Sequence, residues 1–150
     1  MLEIYVDADA CPVKEEILRV AQRHRLPVHL VSNRWLRGPE HPLVRRVVVP
    51  EGADAADDWI AGAIQANDIA VTNDIPLAAR CLEKGARVLA ANGKPFTQAS
   101  IGMALAMRDL NQHLRDTGEL TGGPAAFARQ DRSRFLSALE EAVQSIRRGR

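Results

Sequence analysis

The sequence has few cysteines and few aromatic residues, and each shortage excludes a class of protein. Its 150 residues include two cysteines, Cys11 and Cys81, which lie far apart in the chain. Because there is no Cys-x-x-Cys pair, a zinc finger is excluded and a disulfide scaffold is not expected. Aromatic residues make up 4% of the chain, which disfavours a nucleic-acid platform built from several exposed rings.

The chain also lacks a dominant charge and a long apolar run. Twenty Lys and Arg face nineteen Asp and Glu, for a net charge of +1. No apolar run approaches the ~20 residues that span a bilayer, so we expect no membrane partner. The first residues form a strand pattern that carries Glu3 instead of a basic segment followed by an apolar stretch. These features favour a cytoplasmic protein, and they leave its oligomeric state open.

What remains is the composition of a globular domain, with 46% hydrophobic and 26% charged residues. Short, β-branched apolar runs alternate with helical patterns, which is typical of an α/β fold with a mostly parallel central sheet of four or five strands and helices on both faces. The predicted strands cover residues 2–6, 28–31, 44–49, 69–72 and 87–91. The first of them is apolar on both faces, so we expect it at the centre of the sheet.

Helix starts and one Gly-rich break complete this outline. Helices are predicted to begin near Pro12, Asp54, Pro76 and Thr97. We interpret residues 1–150 as a single domain in which 117–150 form a Gly-rich connection and a C-terminal helix from about 132 to 148. Three glycines in 118–124 predict that this stretch is mobile.

Acidic residues cluster where the predicted strands end. Asp7 and Asp9 close the first strand, Asp57 and Asp58 follow the third, and Asp74 closes the fourth. Since the carboxyl ends of parallel strands meet at one edge of the sheet, these carboxylates are expected to converge. Hard oxygen ligands suit Mg²⁺ or Mn²⁺. We therefore predict a divalent-cation site formed by all five, with Asp7, Asp57, Asp58 and Asp74 as the catalytic acids.

Each acid also has a structural interpretation. Asp54 and Asp74 precede predicted helices, where Asp is a common N-cap. Asp57 and Asp58 would lie in a first helical turn, where the helix dipole favours acids. Asp7 is harder to explain in this way, because a carboxylate at the end of a buried strand requires a partner.

Polar residues at the same edge are candidates for contacts with a phosphate, although turns use such residues more often. The candidates are Lys14, Ser32, Asn33, Thr72, Asn73, Asn92 and Lys94. Cys11 precedes a predicted helix, but no histidine lies near it in the sequence. We expect it to be a packed thiol and not a nucleophile.

Five motifs, which follow one another along the chain, resemble the signatures of the YaiI/YqxD family. They are Val-Asp-Ala-Asp-Ala-Cys-Pro-Val-Lys at 6–14, Ala-Asp-Asp-Trp-Ile at 56–60, Val-Thr-Asn-Asp-Ile-Pro-Leu-Ala at 71–78, Asn-Gly-Lys-Pro at 92–95, and Gly-Gly-Pro at 122–124 with Phe127, Asp131, Arg132 and Phe135. The family is similar to PIN-like nucleases. The resemblance implies a PIN-like three-layer αβα fold in which acids at the strand ends bind Mg²⁺ or Mn²⁺ and cut RNA or DNA.

The resemblance also suggests roles for individual acids. Asp7 resembles the first-strand metal acid of the PIN-like group, Asp57 or Asp58 the mid-chain helical acid, and Asp74 the acid that closes the fourth strand. Asp9 has no assured counterpart.

Three functions remain open from the sequence. The first is a metal-dependent nuclease that acts on nucleic acid, with RNA favoured. The second is a haloacid-dehalogenase-like phosphatase that uses the Asp7-Ala8-Asp9 motif as nucleophile and acid/base. The third is a non-catalytic RNA-binding or regulatory module.

Overall fold

Strands and helices alternate along the chain. The computed structural model describes residues 2–34, 41–52, 54–116 and 127–149. The strands are β1 (Ile4–Asp7), β2 (Val28–Ser32), β3 (Val44–Val48), β4 (Ile69–Val71), β5 (Arg87–Leu89) and β6 (Pro95–Phe96). The helices are α1 (Lys14–His24), α2 (Ala55–Ala63), α3 (Ile75–Glu83), α4 (Gln98–Asp116) and α5 (Arg129–Arg147), and a short 3₁₀ turn covers Ala8–Ala10.

The strands form one sheet in the order β3-β2-β1-β4-β5-β6. The first five are mutually parallel, and β6 pairs antiparallel with β5. The predicted α/β class, the mostly parallel sheet and the central position of β1 are confirmed. The expected count of four or five strands omits β6, because two residues beginning with proline carry no strand pattern in the sequence.

Two hydrophobic clusters cover the two faces of the sheet, which gives three layers. Side chains alternate across β1, so that Ile4 and Val6 pack with α1 and α5, whereas Tyr5 packs with α2 and α3. Ile4 and Val6 are fully buried. This burial on both faces is typical of a central parallel strand.

Helix α5 packs beside α1 and runs in the same direction. Near their N-termini, Arg132 Nη1 donates to the carbonyl of Pro12 at 2.5 Å. Near their C-termini, Arg147 Nη2 donates to the carbonyl of His24 at 2.7 Å. Because α1 follows β1 directly, the N-terminus of α5 lies at the edge where the parallel strands end.

Some expected boundaries shift. α1 begins two residues after Pro12, and the C-terminal helix, expected from about 132 to 148, covers Arg129–Arg147. The prediction of mobility for 118–124 falls outside the described residues. Among the described helices, none combines the length and the apolar character that crossing a membrane requires.

Candidate metal centre

Asp7 lies at the end of β1 and is held by the end of β4. Thr72 Oγ1 donates to Asp7 Oδ2 at 3.0 Å and accepts from the Asp74 backbone N–H at 3.0 Å. Burial raises the pKa of Asp7, the Thr72 hydrogen bond opposes this shift, and the charges of Asp74 and Asp9 add to it. The side chain thus sits in a negative environment that disfavours its ionised form.

Asp74 has two roles. Its Oδ1 accepts from the Leu77 N–H at 3.0 Å, so it is the N-cap of α3, as the capping interpretation predicts. Its charge nevertheless raises the pKa of both Asp7 and Asp57. Asp74 therefore caps α3 and also belongs to the acidic cluster.

The adjacent acids of α2 differ in their surroundings. Burial, together with the charges of Asp74, Asp7 and Asp54, raises the pKa of Asp57 to about 6, and the charge of Arg80 opposes this shift. Asp58 is instead paired with Arg80, whose Nη1 lies 2.8 Å from Asp58 Oδ1, and its side chain is 65% exposed. The structure therefore couples Asp57, and not Asp58, to the acids at the strand ends.

Asp9 is hydrogen-bonded to the end of β2, and Asp54 lies at the start of α2. Ser32 Oγ donates to Asp9 Oδ1 at 2.5 Å and the Asn33 N–H donates to Oδ2 at 3.3 Å, so Asp9 joins the 3₁₀ turn to the end of β2. Asp54 occupies the N-cap position of α2, but its side chain makes no capping hydrogen bond with the described residues. Its charge acts on Asp57 across one helical turn.

Four of the seven polar candidates at this edge, Ser32, Thr72, Asn73 and Asn92, form side-chain hydrogen bonds within the molecule. Asn73 Oδ1 accepts from the Ala91 N–H at 2.9 Å, and Asn92 Oδ1 accepts from the Lys94 N–H at 3.0 Å. Ser32 and Thr72 are bonded to Asp9 and Asp7 as described above, and Lys14 begins α1. These bonds fit the turn interpretation, and phosphate contact by these residues stays a prediction.

Cys11 lies beside this cluster. Burial raises the pKa of its thiol, whereas the Val13 backbone and the charge of Lys14 lower it. A half-buried cysteine with a raised pKa is a poor nucleophile at neutral pH. These properties fit the expectation of a packed thiol.

The carboxylates of the described acidic residues do not surround a position for an ion. Within 2–34, 41–52, 54–116 and 127–149, no three His, Cys, Asp or Glu side chains stand in an arrangement that could hold a metal. The donors suit a hard cation, because Asp7, Asp57 and Asp74 offer carboxylate oxygens, and the charge of Asp74 raises the pKa of both Asp7 and Asp57. The residues therefore fit Mg²⁺ or Mn²⁺ in donor type.

Comparison with known proteins identifies the family. Residues 5–145 match the family model described as "Uncharacterized BCR, YaiI/YqxD family". The chain belongs to the YaiI/YqxD family. It is 64% identical over 148 residues to a UPF0178 protein of Parvibaculum lavamentivorans, covering 99% of this chain and 97% of that protein. It is 59% identical over 150 residues to a UPF0178 protein of Rhodospirillum rubrum, covering 99% and 100% of the two chains.

These matches confirm the family resemblance seen in the sequence. No solved structure gives a significant match. The similarity of the YaiI/YqxD family to PIN-like nucleases stays a prediction.

One contact in this YaiI/YqxD chain has no signal in the sequence. It is the packing of the turn after β5 against helix α5. Gly93 follows β5 with φ +89°, and a Cβ built on it would lie 2.8 Å from the carbonyl carbon and oxygen of Arg134. The turn after β5 therefore touches the backbone of α5. The Asn-Gly pair at 92–93 indicates a turn, but nothing in the sequence indicates which helix lies against it.

Proposed function

We propose that this chain is a divalent-metal-dependent phosphodiesterase that acts on nucleic acid, preferably RNA, with Mg²⁺ or Mn²⁺ as its cofactor. The observation that carries the proposal is that the charge of Asp74 raises the pKa of both Asp7 and Asp57, and that the charge of Asp7 adds to the shift at Asp57. These acids come from the end of β1, the first turn of α2 and the start of α3. Burial and mutual repulsion raise the pKa of Asp57 to about 6. An opposite charge placed among these acids would remove that repulsion.

The roles of the side chains follow from their positions. Asp7, Asp57 and Asp74 would hold the ion, with Asp74 using the oxygen that does not cap α3. Thr72 would orient Asp7 through its hydroxyl. A bound ion would supply Lewis-acid activation of water and stabilise the charge that develops on the phosphodiester. Asp9 and Asp58 are engaged by Ser32 and Arg80, so we assign them no direct ligation.

Metal linkage is the first test. Millimolar Mn²⁺ or Mg²⁺ should raise the Tm of the wild type, because an ion that binds the folded state stabilises it. Asp7→Asn should abolish this rise without lowering the Tm in EDTA, since it removes both a ligand and a repulsive charge. Asp58→Asn is the matched control and should keep the rise. If neither ion shifts the Tm of the wild type, or if Asp58→Asn and Asp7→Asn behave alike, the proposed centre is wrong.

Activity is the second test. A single-stranded RNA oligonucleotide labelled at one end should be cleaved in Mn²⁺, should remain intact in EDTA and should remain intact with Asp7→Asn. Hydrolysis of p-nitrophenyl phosphate without RNA cleavage would instead support the phosphatase alternative. A metal-induced rise in Tm without any hydrolysis would support the non-catalytic module.

A further inference from the structure

Helix α4 packs against the rest of the molecule with one of its faces. Gln98 Nε2 donates to the carbonyl of Leu82 at 2.9 Å, which fixes the start of α4 against α3. Ile101 packs against the core that α2 and α3 cover. At about 100° per residue, Ala104 and Leu105 lie on the same side as Ile101, and both are half-buried. These contacts define which side of α4 faces away from the molecule.

The opposite side of α4 is apolar and exposed. Six residues lie there within an arc of about 140° around the helix axis. They are Ala99, Gly102, Met103, Ala106, Met107 and Leu110, which we call the α4 outer face, and all six are exposed. Met103 is 69% exposed, Met107 45% and Leu110 48%. A Cβ built on Gly102 meets nothing within 4 Å, so no other described part of the chain covers this position.

This composition differs from that of another surface helix in the same molecule. Helix α1 exposes the polar residues Glu15, Arg19 and Gln22. Around α4, the sequence has no charged residue between Lys94 and Arg108. Three of the five large apolar side chains that the described residues leave exposed lie on the α4 outer face. Depletion of charge together with enrichment in Met is typical of the buried centre of a protein–protein interface.

The absence of charge indicates which partner this face fits. Nucleic acid and anionic lipid are bound through Lys and Arg, and the α4 outer face carries neither. A second copy of the chain brings the same uncharged face. In a contact around a twofold axis the same surface patch of both copies meets, and here it meets without placing like charges together. An isologous contact between two copies therefore suits this surface.

Large and small side chains on the face fit an antiparallel pair of α4 helices. If the twofold axis passes between Ala106 and Met107, Met103 of one copy lies opposite Leu110 of the other copy. Near the axis, Met107 then lies opposite Ala106 of the other copy. A large side chain opposite a small one lets the layers interdigitate, so the two helices can approach closely.

We propose that the α4 outer face is the contact surface of a homodimer in which two α4 helices pack antiparallel. One helix face is smaller than the ~1,200 Å² at which specific, stable interfaces begin. The dimer is therefore weak, and it forms at high protein concentration. The proposal uses no residue of the candidate metal centre, so it stands or falls independently of the proposed function.

Sedimentation velocity in EDTA tests the dimer directly. Between 5 and 500 µM wild-type protein, the weight-average sedimentation coefficient should rise from the monomer value towards the dimer value. Met103→Lys should weaken association at least tenfold, because it places an unpaired charge in an apolar contact. Leu110→Glu should do the same. A wild type that stays monomeric at every concentration would overturn the proposal and leave a different protein as the occupant of this face.

The double variant Met103→Lys/Leu110→Glu tests the antiparallel arrangement. Each new lysine then lies opposite the new glutamate of the other copy, so association should be at least fivefold tighter than in either single variant. No recovery would overturn the antiparallel pairing. The control is Val48→Lys, which changes a side chain that is 54% exposed on β3 and should leave association within twofold of the wild type. Equal weakening by Val48→Lys and Met103→Lys would overturn the proposal.

Oxidative cross-linking locates the axis without adding a charge. Ala106→Cys lies next to the axis, so oxidation at 100 µM protein should link most of the chains into disulfide dimers. Ala99→Cys, on the same face, would lie about 20 Å along the helix from its counterpart and should stay unlinked. The native Cys11 is half-buried and Cys81 is buried, so the wild type should also stay unlinked. Equal linking of the two variants would overturn the proposed axis.

Discussion

Acidic residues have opposite electrostatic surroundings at the two ends of the parallel strands. At the edge where α1 and α5 end, Glu140 lies 2.6 Å from His24 Nε2 and 3.0 Å from Arg23 Nη1. Although burial raises the pKa of Glu140, hydrogen bonds from Gln144 and His24 and the charges of His24 and Arg23 lower it overall. At the other edge, the pKa of Asp57 is raised to about 6.

The difference separates two uses of a carboxylate. Glu140 connects α5 to α1, and its partners stabilise its charge. Among the described residues, Asp7 and Asp57 form no ion pair that connects two helices, and the charges of other acids raise their pKa values. The fold therefore stabilises the charge of the acid that connects two helices and disfavours the charge of the strand-end acids. Perturbed acids at the carboxyl edge of a parallel sheet are typical of functional sites.

The largest effect is expected where α5 meets the strand-end edge. Gly93→Ala should lower the free energy of unfolding by about 2–4 kcal/mol, because φ is +89° and the new Cβ would lie 2.8 Å from the Arg134 backbone. Urea unfolding measures the loss. Gly62→Ala is the control, since it lies in α2 with nothing within 4 Å and should stabilise by about 0.5–1 kcal/mol. Equal stability of Gly93→Ala and the wild type would contradict the close packing of this turn on α5.

The second largest change in the free energy of unfolding is expected when the charge of Glu140 is removed. Glu140→Gln should lower the free energy of unfolding at pH 7 by about 1 kcal/mol, because Arg23 and His24 lose an ionised partner in a solvent-screened site. The loss should shrink at low pH. The lowered pKa means that the Glu140 charge stabilises the folded state above its unfolded pKa and stops doing so as pH falls through its folded pKa. A pH-independent loss would show that packing, and not charge, is what Glu140 provides.

The strand-end acids should show the opposite sign. Because the folded pKa of Asp57 is about 6 and its ordinary value is 3.8, the folded state binds the proton more tightly between these values. In EDTA, Asp57→Asn should therefore exceed the wild type in stability at pH 7, by about 1 kcal/mol after allowance for screening. This advantage should disappear as pH falls from 7 to 4. A constant difference across that range, measured by urea unfolding, would show that repulsion does not act on Asp57.

The smallest effect concerns the two roles of Asp74. Asp74→Asn keeps a capping side chain and removes the charge, whereas Asp74→Ala removes both. We expect Asp74→Asn to be more stable than Asp74→Ala by about 0.5–1 kcal/mol in EDTA, and both to bind Mn²⁺ less tightly than the wild type. Equal stability of the two variants would remove the capping role, and unchanged Mn²⁺ affinity would remove the ligand role.

The sequence predicts the fold well because its signals are local. Each parallel strand is a short β-branched run, and β1 is apolar on both faces, which places it at the centre of the sheet. The convergence of acids at one edge follows from the rule that parallel strands end together. Strand β6 escapes prediction because its two residues pair with β5 only through tertiary structure.

The finer features of the site depend on distant partners. Asp57 and Asp58 are adjacent in the sequence, and the structure distinguishes them because Asp57 is half-buried whereas Asp58 is exposed and paired with Arg80 on another helix. The neighbourhood of Lys94 and Arg134 arises from the contact of Gly93 with α5 and has no local signature. Patterns of periodicity do not contain such contacts, so the sequence identified the acids and Lys94 but not the proximity of Arg134 to the turn that carries Lys94.

The two edge strands of the sheet also affect whether copies of this chain can pair with one another through their strands. Its edge strands are β3 and β6, and an open edge is a template for pairing with another chain. Strand β6 is two residues long and begins with Pro95, which has no N–H to donate. Strand β3 carries Arg45 and Arg46, whose charges repel an identical strand laid beside them. Both edges thus oppose intermolecular strand addition, which protects a parallel sheet from aggregation without closing it into a barrel.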